Sequence, residues 1–442
     1  MLGGSLSLQW RDKLDKRNFI FLTANGALYF SALAFFDANV LIPLFLNGLT
    51  DSPLLVGLAA AIRSIGFFLP QILIAGWVAG AQNLNLFQSR LHLFTRSLLI
   101  LPVLAIWFGL SPTVIVVTFF VTFTVFAFGE GMGQVSWMDI YSRTIDESHR
   151  GKLLGTMQAL GGLGALGGAF VVQRVLSSPD FAFPYNFALL FFLALFLLWA
   201  SIFAIRMTQD PPKKDAKERK VSARYVVTHV PKYLQDHPSF SKMLIVQVLM
   251  GFNIIGFPFY ILYVQQTGSL PAWLIGFIVM FQIIGQVIGG LLWGYLSDKA
   301  GNKRTIMATL ATNIIVPLLI LLSGQVTGLI SIIVTLLGFM TLGMVLGGWL
   351  GFVNYLMETT AEEKRPIYVS ISNLFATPVA LLPLVAGAFL KVIPMPWLFI
   401  SIAIIQVLAL FLAFRLPDPR DEKKQGLPFL FRQPAPARRT KE

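Results

Sequence analysis

The chain of 442 residues contains no cysteine, four histidines and few charged side chains. Asp, Glu, Lys and Arg make up 12% of it, about half the fraction of an average soluble protein. The absence of cysteine excludes disulfide bonds and thiolate chemistry, although it identifies no compartment. The histidines form no metal cluster, and no Walker-type phosphate-binding loop is present. The sequence therefore predicts no cofactor, no metal site, no catalytic constellation and no direct use of ATP.

Apolar residues are abundant instead: 56% of the chain is hydrophobic, and its mean hydropathy is +0.72. Many apolar runs reach the roughly 20 residues that cross a bilayer as a helix. We therefore predict an all-α polytopic membrane protein with twelve transmembrane helices in two six-helix halves. The spans are numbered 1 to 12 in chain order, with predicted bounds 18–47, 53–81, 91–110, 113–139, 150–175, 183–207, 240–264, 271–297, 303–323, 327–356, 366–390 and 395–416.

The net charge of +13 is concentrated in alternate loops. One set of loops, which includes both termini and the middle of the chain, is basic, and the other set is short and nearly free of Lys and Arg. All but three of the 34 Lys and Arg belong to the basic set, the exceptions being Arg174, Lys391 and the span residue Arg63. Because cytoplasmic loops collect Lys and Arg, we predict cytoplasmic termini and a cell-membrane location. The charge is thus explained without a nucleic-acid partner.

A polar linker at the midpoint separates the two halves. The predicted organisation is a cytoplasmic N-terminus (1–17), two six-helix bundles (18–207 and 240–416), a cytoplasmic linker (208–239) and a cytoplasmic tail (417–442). The linker segment "ARYVVTHVPKYLQDHP" is predicted to be either an amphipathic helix at the membrane interface or a solvated connection.

The two halves also share an internal repeat. An offset of 215 residues aligns Pro43 with Pro258, Pro102 with Pro317, Gly133 with Gly348, and Arg150 with Arg365. A parallel repeat of two six-helix halves is a known transporter plan, in which the substrate binds between the halves near the midplane.

The charged stretch "GYLSDKAGNKR", from Gly294 to Arg304, interrupts two apolar spans. It resembles the cytoplasmic loop signature of the major facilitator superfamily, G-x-L-x-D-x-x-G-r-K/R, at its position between spans 8 and 9. "DESHRGKLLG" after span 4 and "ETTAEEKR" after span 10 resemble two further elements of that family. The resemblance covers the whole chain and implies the fold of that superfamily. It also implies a conformational gate formed by Gly294, Asp298, Gly301, Lys303, Arg304, Asp139, Arg150, Glu358 and Arg365.

Each residue of the motif has a physical reason to be there. Gly294 allows close helix packing, and Gly301 permits a tight turn. Asp298 can accept hydrogen bonds from a neighbouring helix start or pair with a basic residue. The alternative is a charged loop that only holds a helix hairpin. The first-half counterpart, "GWVAGAQNLNLFQSR", departs from the family pattern, because Gly80 stands where the acid is expected.

Three ionisable residues are predicted inside the spans. Asp37 and Arg63 lie on adjacent antiparallel spans, each about 15 Å below the outer surface. We expect them to pair, either as a binding or proton-linked site or as a structural ion pair. Glu130 lies in the cytoplasmic half of span 4, where it is expected either to carry a proton or to line a vestibule. Asp139, near the surface, is expected to pair with Arg143 or Arg150.

Uncharged polar and aromatic residues in the second half suggest a cavity with one charged wall and one polar–aromatic wall. The predicted substrate and proton pathway comprises Asp37, Arg63, Glu130, Gln134, Asn253, Gln282, Gln286, Trp349 and Asn373. Such a cavity suits a small amphipathic or aromatic solute better than a sugar or a polyanion.

Together these features predict a secondary active transporter, not an enzyme, that works by alternating access. Proton-coupled export is the preferred form, proton-linked uptake the next, and a lipid or lysolipid flippase a further alternative. A non-transporting sensor ranks last. The expected partners are a small-molecule substrate, protons and membrane lipids, and a monomer is expected.

Overall fold

The computed structural model describes residues 4–80, 83–209, 223–268, 270–348, 350–360 and 365–420, and every regular element in these ranges is a helix. Eleven helical segments are long and apolar enough to cross a membrane. Span 1 is not among the eleven, because it is divided and its second part, Leu41–Thr50, is a short apolar helix. Counting span 1 gives twelve spans. The prediction of an all-helical membrane fold is confirmed.

The first half contains spans 1 to 6. Their helices are Gly4–Leu33 and Leu41–Thr50 (span 1), Pro53–Gly80 (span 2), Leu84–Ser97 and Ile100–Trp107 (span 3), Pro112–Thr144 (span 4), Glu147–Ser177 (span 5) and Tyr185–Arg206 (span 6). Span 3 thus begins several residues earlier than predicted, and this difference changes the environment of its polar residues.

The second half contains spans 7 to 12. Their helices are Pro238–Gly251, Phe252–Ile255 and Phe257–Thr267 (span 7), Ala272–Ala300 (span 8), Asn302–Ser323 (span 9), Gly328–Leu346 and Leu350–Thr359 (span 10), Arg365–Ala376, Pro378–Leu381 and Leu382–Phe389 (span 11), and Met395–Phe414 (span 12). Spans 7 and 11 each contain a short 3₁₀ segment.

The break in span 1 is organised by Asp37. Its carboxylate Oδ1 accepts hydrogen bonds from the backbone N–H groups of Asn39 (2.9 Å) and Val40 (2.7 Å). Its carbonyl accepts from the N–H groups of the first two residues of the next helix. Donors at a helix start have no partner within the helix, so the acid supplies the missing acceptors. The neighbouring Phe36 packs in a buried cluster of phenylalanine rings from spans 4 and 6, which anchors the break.

A local contact is repeated in the two halves at the offset of 215 residues. The guanidinium of Arg150 donates to the carbonyl of Ser142 at 2.8 Å, and that of Arg365 donates to the carbonyl of Met357 at 3.2 Å. In both cases the acceptor lies eight residues back, at the end of span 4 or span 10. Each arginine therefore closes the turn after a corresponding span.

The two halves touch at one membrane face. We call the face that carries the loop between spans 8 and 9 the basic face, and the other the opposite face. Near the opposite face, a Cβ atom added to Gly57 of span 2 would lie 2.1 Å from the carbonyl oxygen of Pro383 in span 11. One added to Gly387 would lie 2.4 Å from the carbonyl oxygen of Pro53. The backbones of spans 2 and 11 are therefore in direct contact there.

Spans 5 and 8 diverge towards the basic face. Near the opposite face, a Cβ on Gly276 would lie 2.5 Å from the Cα atom of Gln173. Further along the pair, one on Gly162 would meet only the side chain of Val287, at 3.5 Å. At the next equivalent positions, Gly155 and Gly294, an added Cβ would meet nothing within 4 Å.

These three levels share one antiparallel register, because each step moves the same number of residues up span 8 and down span 5. Steps of seven and eleven residues also return to nearly the same helix face. The halves are thus joined near the opposite face and separated near the basic face. Gly294 makes no close helix contact in this conformation, so its predicted role in close packing stays a prediction.

The linker ends in a helix, Ala223–Asp236, that packs on the second half. Val230, Tyr233 and Leu234 pack half-buried against a buried cluster of the second half, and the rings of Tyr233 and Tyr368 meet edge to face at 5.4 Å. The segment thus forms a helix that contacts the protein. Its position at the membrane interface stays a prediction.

Candidate functional site

A hydrogen bond near the middle of the membrane connects the two halves. The Gln282 side chain of span 8 donates through Nε2 to Oδ2 of Asp37 at 2.9 Å. A second inter-half bond lies nearer the opposite face, where Asn47 Nδ2 donates to Oε1 of Gln265 at 3.4 Å. The carboxylate of Asp37 therefore accepts hydrogen bonds both from the break within span 1 and from the second half.

The predicted ion pair between Asp37 and Arg63 is not formed. Both carboxylate oxygens of Asp37 are occupied, one by backbone N–H groups and the other by Gln282. The half-buried Arg63 makes no hydrogen bond or ion pair with any residue that the structure describes, although Asp37 and Tyr29 are its electrostatic neighbours. The depth of the two residues on adjacent spans correctly indicated that they are neighbours. It did not indicate which groups each side chain bonds to.

The carboxylate of Glu130 is paired, contrary to the expectation for a proton carrier. Arg96 Nε donates to its Oε1 at 2.7 Å, and Arg96 Nη2 donates to its Oε2 at 3.1 Å. Arg96 Nη1 also donates to the hydroxyl of Ser201 in span 6 at 2.6 Å. The Arg96 and Glu130 side chains are only 3% and 11% exposed. The two side chains form a buried, bidentate ion pair, and the third guanidinium nitrogen of Arg96 also donates a hydrogen bond.

The sequence predicts that Arg96 belongs to the basic loops, and this prediction is wrong. The helix of span 3 begins at Leu84, so His92 and Arg96 lie on its third and fourth turns and are buried. The signal was available, because the predicted span 91–110 already contained both residues. Gly133 leaves room for the imidazole: a Cβ there would lie 1.9 Å from His92 Nε2.

Further polar contacts surround the Arg96–Glu130 pair. The Arg96 guanidinium carbon lies 5.3 Å from the ring centre of Tyr29. Asn25 donates to the carbonyl of Ser201 at 2.8 Å and accepts from the indole N–H of Trp137 at 3.1 Å. Spans 1, 3, 4 and 6 are thus joined by a buried polar network. Within the described residues, no group of His, Asp and Glu has the arrangement of a metal site.

The other predicted pathway residues are distributed unequally. Gln286 lies one turn beyond Gln282 towards the basic face and is exposed, and Gln134 lies one turn beyond Glu130 and is half-buried. Asn253 is buried and bonds to Asn313 inside the second half. Asn373 is exposed on span 11. Trp349 lies outside the described residues.

The acid of the family motif is disengaged in this conformation. The side chain of Asp298 is exposed and has no partner among the described residues. Its backbone carbonyl and that of Ser297 accept hydrogen bonds from Arg420, at 2.9 and 2.7 Å. Arg420 also lies 3.9 Å from Glu358 of span 10. Gly301 has φ of +94°, which explains the glycine at this turn.

The remaining gate residues occupy the ends of spans. Asp139 pairs with Arg143, whose Nε lies 2.8 Å from its Oδ1, while Arg150 donates to backbone carbonyls. Lys303 is half-buried and Arg304 is exposed at the start of span 9. Arg420 was missed from the sequence, because it lies beyond span 12 and only the fold brings it to the end of span 8.

Several solved structures share this fold. A mutant of the nucleoside transporter NupG has a TM-score of 0.71 at 12% identity, covering 90% of this chain and 99% of its own. A bacterial homologue of the iron transporter ferroportin, inward-facing, has a TM-score of 0.63 at 14% identity, covering 91% and 98%. A bacterial homologue of the human lysosomal transporter Spinster, inward-facing and unoccupied, has 0.58 at 12%, covering 94% and 98%. No curated protein matches the chain by sequence.

Two six-helix halves with a polar interface near the midplane define a membrane transporter. The model of the Major Facilitator Superfamily matches residues 24–382 and, in a second alignment, 274–439. The chain belongs to the Major Facilitator Superfamily.

Proposed function

We propose that the protein is a proton-coupled secondary active transporter that moves a small amphipathic or aromatic solute by alternating access. The observation that carries this proposal is the contrast between the two faces. The halves are joined near the opposite face and separated near the basic face. With the basic face as the cytoplasmic one, the conformation is open to the cytoplasm.

The coupling proton is proposed to bind Asp37 rather than Glu130. Glu130 is held by Arg96 within one half, so relative movement of the halves leaves its main partner in place. The partners of Asp37, in contrast, come from both halves. Opening towards the opposite face would remove Gln282 and admit water to the carboxylate. Asp37 is therefore the acid whose surroundings change in the transport cycle.

Asp37→Asn tests the coupling assignment. The amide oxygen can still accept from the backbone N–H groups of the span 1 break, so the variant is expected to fold. In proteoliposomes it should retain solute counterflow without a gradient and lose accumulation driven by a pH gradient. Glu130→Gln is the comparison, and any surviving protein should keep gradient-driven accumulation. Wild-type accumulation by Asp37→Asn would remove Asp37 from the coupling step.

The direction of transport depends on how the proton and the solute bind. Competition between them gives export in exchange for proton entry, which is the form preferred from the sequence. Joint binding gives proton-linked uptake. Measuring solute accumulation in right-side-out and inside-out vesicles under the same proton gradient distinguishes the two forms.

A lipid flippase is the second candidate, and one groove favours it. The groove has a volume of about 420 Å³ and lies between spans 7, 11 and 12, where Phe252, Phe389 and Trp397 contribute to an almost wholly apolar wall. Such a surface fits an acyl chain. Movement of headgroup-labelled lipid between leaflets, measured in the same proteoliposomes, would support this alternative.

A further inference from the structure

The unpaired guanidinium of Arg63 lies in the interior of a membrane protein. Span 2 begins at Pro53, so Arg63 is about 15 Å from the opposite face, near the midplane. Charged residues at this depth face the protein interior or a water-filled cavity, where they pair or act on a substrate or an ion. Arg96, which is buried in span 3, has all three of its guanidinium nitrogens engaged. Arg63 has no corresponding partner among the described residues.

The helix geometry turns Arg63 away from lipid. Phe68 and Leu69 on the same helix are each 38% exposed and mark its lipid-facing side. At 3.6 residues per turn, Arg63 is displaced from them by about 140° and 120° around the axis. Its electrostatic neighbours, Asp37 and Tyr29, both belong to span 1. The guanidinium therefore lies on the interior side of span 2.

The charged and titratable groups around Asp37 are few. Span 2 contributes Arg63, and Tyr29 of span 1 is a neighbour of Arg63 that also faces the Arg96–Glu130 pair. Span 8 contributes the neutral Gln282. Because both oxygens of Asp37 accept hydrogen bonds from other groups and none comes from Arg63, Asp37 compensates the charge of Arg63 only at a distance. The five N–H donors of the guanidinium match a carboxylate or phosphate group in a bidentate geometry.

We propose that Arg63 binds the anionic group of the transported solute, which is a monoanion with an apolar or aromatic body. This inference rests on the proposed function and names its substrate class. A single cation suits one negative charge, and the nearby Tyr29 offers an aromatic surface. Protonation of Asp37 removes the negative charge nearest to Arg63 and so strengthens binding of the anion. Proton and solute then bind together, which makes proton-linked uptake the form that this site favours.

The test compares matched probes on purified protein in phosphatidylcholine nanodiscs, where no anionic headgroup is present. The anions are benzoate, hexanoate and benzenesulfonate, each a monoanion at neutral pH, and their neutral analogues are benzamide, hexanamide and benzenesulfonamide. Binding is measured by thermal unfolding over a range of probe concentrations. At least one anion should stabilise the wild-type protein, and its neutral analogue should not. Arg63→Gln should weaken that binding at least tenfold, and Arg63→Lys should weaken it less.

Two variants make the result specific. Arg174→Gln removes one positive charge from an exposed position on span 5 and should bind the anion as the wild-type protein does. Asp37→Asn, which imitates the protonated acid, should bind it more tightly. Arg63→Gln should also keep the wild-type elution profile, since the native arginine has no partner to lose.

The proposal is overturned if no anion binds, if the neutral analogues bind equally, or if Arg63→Gln binds with wild-type affinity. Stabilisation that appears only after phosphatidylglycerol is added would assign Arg63 to a lipid headgroup instead. The anion proposal can fail while alternating access still holds. In that case the Arg63→Gln variant would still transport a neutral solute when a proton gradient is applied. Loss of alternating access would appear independently, as an absence of any movement between the halves.

Discussion

Arg63 and Arg96, two arginines inside the spans, differ in what surrounds them. Arg96 donates to Glu130 and Ser201, so its desolvation is offset by charge-assisted hydrogen bonds. Arg63 has an acid nearby whose oxygens are already used. A satisfied pair maintains the structure, whereas an unsatisfied cation is available to a ligand. The same residue type thus serves packing in span 3 and, in our proposal, solute recognition in span 2.

Glu130→Gln should destabilise the protein by about 3 kcal/mol, because it leaves the buried Arg96 without its counter-charge. Thermal unfolding in detergent measures the loss. Asp139→Asn is the matched control, since its pair with Arg143 is partly exposed and contributes at most about 1 kcal/mol. The double variant Arg96→Gln/Glu130→Gln should recover much of the stability. Equal losses of stability in Glu130→Gln and Asp139→Asn would contradict a structural role for Glu130.

Residue positions could be predicted from hydropathy, but their partners could not. Asp37 and Arg63 were recognised as intramembrane charges because they interrupt apolar runs. The direction in which each side chain points depends on the rotation of its helix about the helix axis. A helix that is apolar on all sides has no hydrophobic periodicity from which this rotation could be predicted. Arg96 was misplaced for a related reason: polar residues at the start of span 3 imitate a loop when they pack against other helices.

At the scale of the helices, glycines report which surfaces meet. Gly285 of span 8 lies against span 10, since an added Cβ would be 1.8 Å from the carbonyl oxygen of Met340. Gly294, two and a half turns further along, has open space around it. One helix therefore carries both a close backbone contact and, further along, a surface with open space around it.

Gly294→Leu should separate these two roles. The larger side chain meets no neighbour in the present conformation, so thermal stability should stay within about 1 kcal/mol of wild type. Transport should fall severely, because the side chain would obstruct approach of span 5 near Gly155. Gly285→Leu is the control and should impair folding itself, by forcing spans 8 and 10 apart. Full transport by a well-folded Gly294→Leu protein would argue against closure at this level.

The number and order of the spans could be predicted because each apolar run is long enough to cross the bilayer. The interruptions could not. The break at residues 34–40 lies inside a single apolar run, and it forms because Asp37 supplies acceptors to the next helix. Similarly, the contact of the linker helix with Tyr368 depends on surfaces that are distant in sequence.

For the whole molecule, the repeat and the separation of the halves have different origins. The repeat is visible in sequence as Arg150 and Arg365 and reappears as equivalent bonds at the ends of spans 4 and 10. The conformation cannot be read from the motif in the sequence. Asp298 illustrates this: its motif is recognisable, yet its side chain is exposed and has no partner among the described residues.

Alternating access is tested most directly by measuring distances at both faces of one protein. The chain has no cysteine, so spin labels can be placed without removing native thiols. Lys152→Cys with Lys299→Cys reports the basic face, and Asp51→Cys with Gln266→Cys reports the opposite face. All four positions are exposed. Pulsed electron–electron double resonance in nanodiscs gives the distance distribution for each pair of spin labels.

The measurement is made between pH 5 and pH 8, with and without the Asp37→Asn substitution. We expect two populations at each face that change in opposite directions: as the basic-face distance shortens, the opposite-face distance lengthens by a matching fraction of molecules. Single, unchanged distributions at both faces under every condition, or changes in the same direction, would contradict alternating access by this protein.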